Sequence, residues 1–239
     1  MTPQLNEIWV YLSASPLLGL TVTLLAYQAA FWLYRRSGMN PLANPVLIAV
    51  TILVLLLTLT ATSYETYFAG AQFVHFLLGP ATVALAIPLY TQFRRVRSML
   101  LPVLAGLLAG SLTAALSAIA IAKLFGASLP TQLSLAPKSV TTPIAMGIAE
   151  RIGGIPSLTA VLVIVTGILG AVGARYVFDA LKIRDPAIRG FAIGVASHGI
   201  GTARAFQVSE QAGAFAALAM GLNGALTALL LPLVLGWMR

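Results

Sequence analysis

The chain contains no cysteine, two histidines and six acidic residues, and only 8% of its 239 residues are charged. Without cysteine there is no disulfide, no thiolate nucleophile and no cysteine-bound metal. The six acids are Glu7, Glu65, Glu150, Asp179, Asp185 and Glu210, each at or near the end of an apolar run. That scatter gives no carboxylate cluster for sodium or a divalent metal, which take several oxygen ligands. Neither a metal nor a cofactor is expected. The shortage of charge matters most. A soluble domain of average composition carries roughly 25% charged residues to cover its outside, and a chain that is 59% hydrophobic has too few. Lipid is the remaining solvent.

What charge there is leans basic, with a formal net charge of +8. The cations sit in short clusters between apolar runs, such as Arg35-Arg36 and Arg94-Arg95-Val96-Arg97. No basic face results, so a nucleic-acid partner is not expected. Residues 1–10 contain Glu7 and no basic residue, which lacks the charged start of a cleaved signal peptide, and Met1 is expected in the mature protein.

A bilayer core takes about 20 apolar residues per helix. Runs of that kind fall at 15–34, 45–62, 72–92, 99–124, 156–178, 188–207 and 212–238. A further stretch, 133–150, is apolar but carries Pro137, Lys138 and Pro143. If it crossed fully, Lys182, Arg184 and Arg189 would face the outside, against the tendency of Lys and Arg to stay cytoplasmic. If it dips in and returns, they are inside. The sequence thus predicts an all-α polytopic membrane protein, one integral domain over 1–239. It has about seven transmembrane helices plus a re-entrant segment, with the N-terminus outside and the C-terminus, at Arg239, inside. Two triplets, 45–124 and 156–238, then run in opposite directions. Each has an interrupted middle helix, at Gly79 and Pro80 in the first and at Gly199 and Gly201 in the second. Inverted repeats with broken helices are a transporter pattern.

Three segments carry polar chemistry. In Pro137-Lys138-Ser139-Val140-Thr141-Thr142-Pro143 the two prolines forbid one continuous helix and free backbone groups that hydrocarbon cannot satisfy. Three hydroxyls and an ammonium suit a wet cavity, though an extracellular loop with an ordinary lysine is the plain alternative. In Ser197-His198-Gly199-Ile200-Gly201-Thr202-Ala203-Arg204, glycine-rich backbone before a resumed helix presents N–H groups and a positive dipole end. The plain alternative has His198 bonded to a carbonyl and Arg204 reaching an interface. Residues 76–90 hold Pro80 and Pro88 and read equally as a proline kink. Lys138 and Arg204, with His198 as a proton-switchable third, are cations at depth without nearby acids. A small organic anion would complete them. His198 and His75 are the candidates for proton coupling.

The stretches 80–90, 137–146 and 196–204 resemble the signatures of the LrgB/CidB family, as do Gly153-Gly154-Ile155-Pro156, Gly167-Ile168-Leu169-Gly170-Ala171 and Gly213-Ala214-Phe215. Thr82 stands where an apolar residue is expected. The resemblance implies two roles. One is an antiholin-like modulator of murein hydrolase export and cell lysis, working with a small LrgA/CidA-type partner. The other, from the plastid glycolate/glycerate translocator and a link to pyruvate uptake, is carboxylate transport.

The sequence-based expectation is a secondary transporter of a small organic anion of the glycolate, glycerate, lactate or pyruvate class. It would sit in the bacterial inner membrane and act as a homo-oligomer, such as a dimer. Lys138 and Arg204 would draw the carboxylate, Ser139, Thr141, Thr142, Ser197 and Thr202 would bond its other oxygens, and His198 would carry a proton. An LrgB-type lysis regulator is the alternative. An enzyme is not expected, because no acid orients His198 beside Ser197.

Overall fold

The structure, a computed structural model, describes residues 16–235; the side chains of Pro16, His75, Leu78 and Thr82 lie outside the described set. Outside it too are Glu7, Arg239 and the ends of the predicted spans at 15 and 236–238. The described residues form helices and turns with no strand. Among the described residues, five helical stretches are long and apolar enough to cross a membrane: Leu17–Arg36, Tyr64–Thr91, Leu100–Leu124, Pro156–Ala180 and Glu210–Leu235. The chain divides into two compact units, residues 1–84 and 85–239.

The first unit holds α1 (Pro16–Arg36), a 3-10 turn (Pro41–Ala43), α2 (Pro45–Leu59), α3 (Tyr64–Phe76) and α4 (Leu78–Ala84). Asn44 starts α2 by accepting from the N–H groups of Val46 and Leu47 at 2.9 and 3.2 Å, and Pro45 fits the first turn because that N–H has no helical partner anyway. α2 has 15 residues, fewer than the predicted span 45–62 and short of a full crossing. Gly19 lets α1 approach α3, since a Cβ there would lie 2.5 Å from the Tyr67 carbonyl oxygen. The predicted span 72–92 is interrupted at Leu77 and Leu85, just ahead of Gly79-Pro80 and of Pro88. Each proline is thereby left in the first turn of a new helix, where it breaks no hydrogen bond. The triplet 45–124 falls across the boundary between the units.

The second unit holds α5 (Ala86–Thr91), α6 (Phe93–Ser98), α7 (Leu100–Leu124), α8 (Leu129–Leu135), α9 (Thr142–Ile152), α10 (Pro156–Ala180), α11 (Pro186–Val208) and α12 (Glu210–Leu235). Two helical hairpins dominate it. In the first, α8 leads to an irregular tip at residues 136–141, and α9 returns. The end of α8 is tied to the start of α10: the Ile155 N–H donates to Ser134 Oγ at 2.8 Å, and Thr159 Oγ1 donates to the Ser134 carbonyl at 3.1 Å. Gly153, with φ 89°, ends α9 in the left-handed conformation that glycine adopts without cost.

The second hairpin is α11 itself, and here the structure corrects the expectation of a crossing at 188–207. Ser197 (φ −131°, ψ 16°) and His198 (φ 41°, ψ −133°) leave helical geometry, and the chain folds back on itself. Across an unbroken helix Ile193 and Gly201 would stand about 12 Å apart, yet a Cβ on Gly201 would meet the Ile193 carbonyl oxygen at 3.0 Å. Ile193 and Ala205 share one apolar cluster with Ala212 and Ala216.

Reversal changes the direction of everything after it. α12 starts beside the base of the hairpin, because Gly190 and Gly194 press on the Ala212 and Ala216 carbonyls. It ends in the cluster of Leu133, Ile152, Leu231 and Leu235 at the base of the first hairpin. The C-terminal end of α12 therefore lies opposite the 181–185 turn, where the sequence reading put both on one side. α7 starts near that turn, where Arg95 Nη2 meets Asp185 Oδ2 at 2.6 Å, and runs toward the first hairpin. α10 runs the other way toward the second.

We expect Gly190→Ala and Gly194→Ala to destabilise the protein by about 1–3 kcal/mol through overpacking, because the new Cβ would lie 2.1 and 2.2 Å from a carbonyl oxygen. Gly221→Ala, with open space around it, should stabilise by up to about 1 kcal/mol through helix propensity. Thermal unfolding of the detergent-purified variants checks both signs.

Candidate functional site

Both hairpin tips stop half-way along long helices. Asn223, near the middle of the 26-residue α12, joins them. Its Nδ2 donates to the Ser139 carbonyl of the first tip at 3.4 Å and to the Val195 carbonyl of the second hairpin at 3.0 Å. Its Oδ1 accepts from the hydroxyls of Ser111 on α7 and, at 3.3 Å, Thr227. Asn223 is 1% exposed, so every bond of this amide is made inside protein. Helix breaks leave carbonyls without helical partners, and a buried carbonyl left alone costs about 1–3 kcal/mol. One amide answers both breaks.

The second tip is seated on α10. His198 is buried, with Nε2 2.9 Å from the Val163 carbonyl oxygen. A Cβ on Gly167 would lie 2.8 Å from that Nε2, and one on Gly170 would lie 1.7 Å from Ser197 Oγ. Val163, Gly167 and Gly170 recur at helical spacing, so one face of α10 forms a notch sized for the bend. Thr202 Oγ1 donates to the His198 carbonyl at 2.7 Å, which secures the first turn after the bend. Ser197 Oγ is buried without a hydrogen-bond partner among the described residues.

At the first tip, Pro137, Ser139 and Val140 are buried and Lys138 is half-buried. Lys138 Nζ donates to Ser139 Oγ at 3.4 Å. Thr141 and Thr142 open α9, where the Thr141 hydroxyl makes no capping bond, and Pro143 takes a first-turn position. A cavity of about 60 Å³ borders this tip, lined by Ser111, Pro137, Ser139, Asn223 and Thr227 among apolar side chains.

The structure thus gathers Lys138, Ser139, Ser197, His198 and Thr202 around the two tips. Arg204 is elsewhere. It lines a separate cavity of about 240 Å³ with Arg175, Phe178 and Arg189, toward the base of the second hairpin. The reversal of α11 is the reason, since it carries Arg204 back toward the end where α10 finishes. His75 lies outside the described side chains. Sequence reasoning missed Asn223, Ser111 and Thr227; the available signal was one amide, with a threonine four residues on, in the apolar run 212–238.

The LrgB-like family model matches residues 23–237. This chain belongs to the LrgB-like family. It is 38% identical to the uncharacterized protein YxaC of Bacillus subtilis over 213 residues, 89% of this chain and 92% of the relative. YwbG of the same organism is 36% identical over 222 residues, covering 93% and 98%. The antiholin-like protein LrgB of Bacillus cereus is 30% identical over 220 residues, covering 92% and 95%. No solved structure matches the chain significantly.

Substitutions at Asn223 and at the Gly170–Ser197 contact test the site's construction. Asn223→Leu should destabilise by about 1–3 kcal/mol, because it orphans buried carbonyls at both tips. Gly170→Ala should do likewise through its clash with Ser197, and Ser197→Gly should recover most of the loss in the double variant. Additive losses in the thermal unfolding of that pair would contradict the contact.

Proposed function

We propose that this protein is an LrgB-type, antiholin-like protein of the bacterial inner membrane that modulates murein hydrolase export and cell lysis. Family membership over nearly the whole chain supports it, as does the name carried by the Bacillus cereus relatives. A small LrgA/CidA-type membrane protein and a second copy of this chain are the partners this reading assigns. Its test is a chromosomal deletion. Murein hydrolase activity in the culture medium and the rate of lysis should rise, and return to normal with the wild-type chain. An unchanged supernatant and lysis rate would refute it.

One observation favours a second reading of what the molecule does in the membrane: two polar hairpin tips meet half-way along helices long enough to cross it. α7 with the first hairpin and α10 with the second form two oppositely directed pairs, which supports an inverted repeat with re-entrant segments. On this reading the protein is a secondary carrier of a small organic anion. The half-buried Lys138 ammonium attracts the carboxylate, and Ser139, Thr141 and Thr142 offer hydroxyls to its other oxygens. His198 is the proton-coupling group. The basic turns at Arg94–Arg97 and Lys182–Arg189 would face the cytoplasm.

Proteoliposomes carrying the full chain should take up labelled glycolate or pyruvate saturably under a pH gradient. Lys138→Ala should lower uptake at sub-saturating substrate at least about tenfold, the worth of one charge-assisted hydrogen bond. Leakage that also passes large dyes, or uptake indifferent to Lys138→Ala, would reject the carrier.

A further inference from the structure

The cavity that holds Arg204 is basic at its polar positions and apolar everywhere else. Its lining brings together Arg175 from α10 and Arg189 and Arg204 from the two arms of the second hairpin, with no acidic side chain. Phe178, Ile193, Val208 and small residues make the walls. Asp179, just outside, serves two of the three cations: Arg189 Nη2 at 2.5 Å and Arg175 Nε at 3.7 Å. Arg189 is also fixed by donating from Nε to the Ile183 carbonyl at 2.5 Å and by lying 5.6 Å over the Phe178 ring. Arg204 Nη1 donates to Gln207 Oε1 at 3.2 Å. Guanidinium groups held this way lose little freedom when an anion arrives, and their forked donors suit phosphate oxygens.

The cavity's place in the fold selects the kind of anion. It lies toward the end of α10, a helix long enough to cross a membrane, on the side of the molecule that also carries Lys182, Arg184 and the Arg95–Asp185 pair. At that level a phospholipid presents its phosphate, with its acyl chains beside the helices. A pocket between membrane helices with arginines in its lining and apolar walls matches both parts of an anionic lipid. A free inorganic anion would leave the apolar walls unused.

We propose that Arg175, Arg189 and Arg204 form a binding site for the phosphate group of an anionic phospholipid, at the base of the second hairpin. The site spans both arms of that hairpin and α10, so the lipid ties the hairpin's two arms to the helix against which its tip is seated.

Native mass spectrometry of the full chain in detergent tests this with phosphatidylglycerol, phosphatidylcholine and glycerol 3-phosphate as probes. The expected result is retention of phosphatidylglycerol well above phosphatidylcholine, with glycerol 3-phosphate a poor competitor. Arg175→Gln and Arg204→Gln should each weaken retention about fivefold, the worth of one basic residue near a lipid surface. Arg151→Gln, at the opposite end of the unit, should leave it unchanged. Equal retention of phosphatidylcholine would overturn the proposal, as would full displacement by glycerol 3-phosphate, which marks a site for free anions. Arg175 is 64% exposed at its side chain, so Arg175→Gln carries the test by itself if Arg204→Gln fails to fold. The readout involves neither transport nor lysis, so its failure is distinct from failure of either functional reading.

Discussion

Every broken helix in an apolar medium must return its freed backbone groups to some partner, and here that demand converges on α12. Hydrocarbon offers no hydrogen bonds, so the unwound stretches at residues 136–141 and at Ser197-His198 survive only inside protein. Asn223 stands between them and donates to one carbonyl from each side. The hydroxyls of Ser111 and Thr227 complete its amide. The two tips are therefore held at one level by a single side chain.

Close packing of backbones makes that arrangement reachable. Glycines at 190 and 194 bring the second hairpin against the carbonyls of α12, and glycines at 167 and 170 open α10 to the bend. Small residues matter more here than in water, because lipid tails are as apolar as leucine and association rests on close van der Waals contact. His198 carries a positive φ that a non-glycine residue adopts only under compulsion, and its ring is bonded to the Val163 carbonyl. Tertiary contacts on both sides of the bend hold it in that conformation.

Polar chemistry in the second unit is divided between two levels. The tips hold Lys138, Ser139, His198 and Thr202 about half-way along the long helices. The base of the second hairpin holds Arg175, Arg189 and Arg204. A reading from sequence spacing alone joins Lys138 and Arg204 as two halves of one anion grip. Folding back at Ser197-His198 takes Arg204 down to the second level, and leaves the tips with one lysine and a histidine.

Composition by itself determined the solvent: so few charges on so apolar a chain exclude a water-facing surface of this size. Proline spacing also marked where helices stop at residues 136–141, since proline removes a donor whatever surrounds it; in the second hairpin the expected breaks at Gly199 and Gly201 stay helical, and the chain turns at Ser197 and His198 instead. The long motifs were sufficient to indicate the family. The direction in which the chain leaves each break was decided only by tertiary structure. A crossing and a hairpin have the same apolar length and the same broken middle, and they differ in whether Ile193 finds Gly201 and Ala205 or lipid beside it. Asn223 was in plain view as one amide in an apolar run, but all its partners except Thr227 lie on α7, the first tip and the second hairpin. Only the packing of those elements against α12 brings them within reach of one side chain.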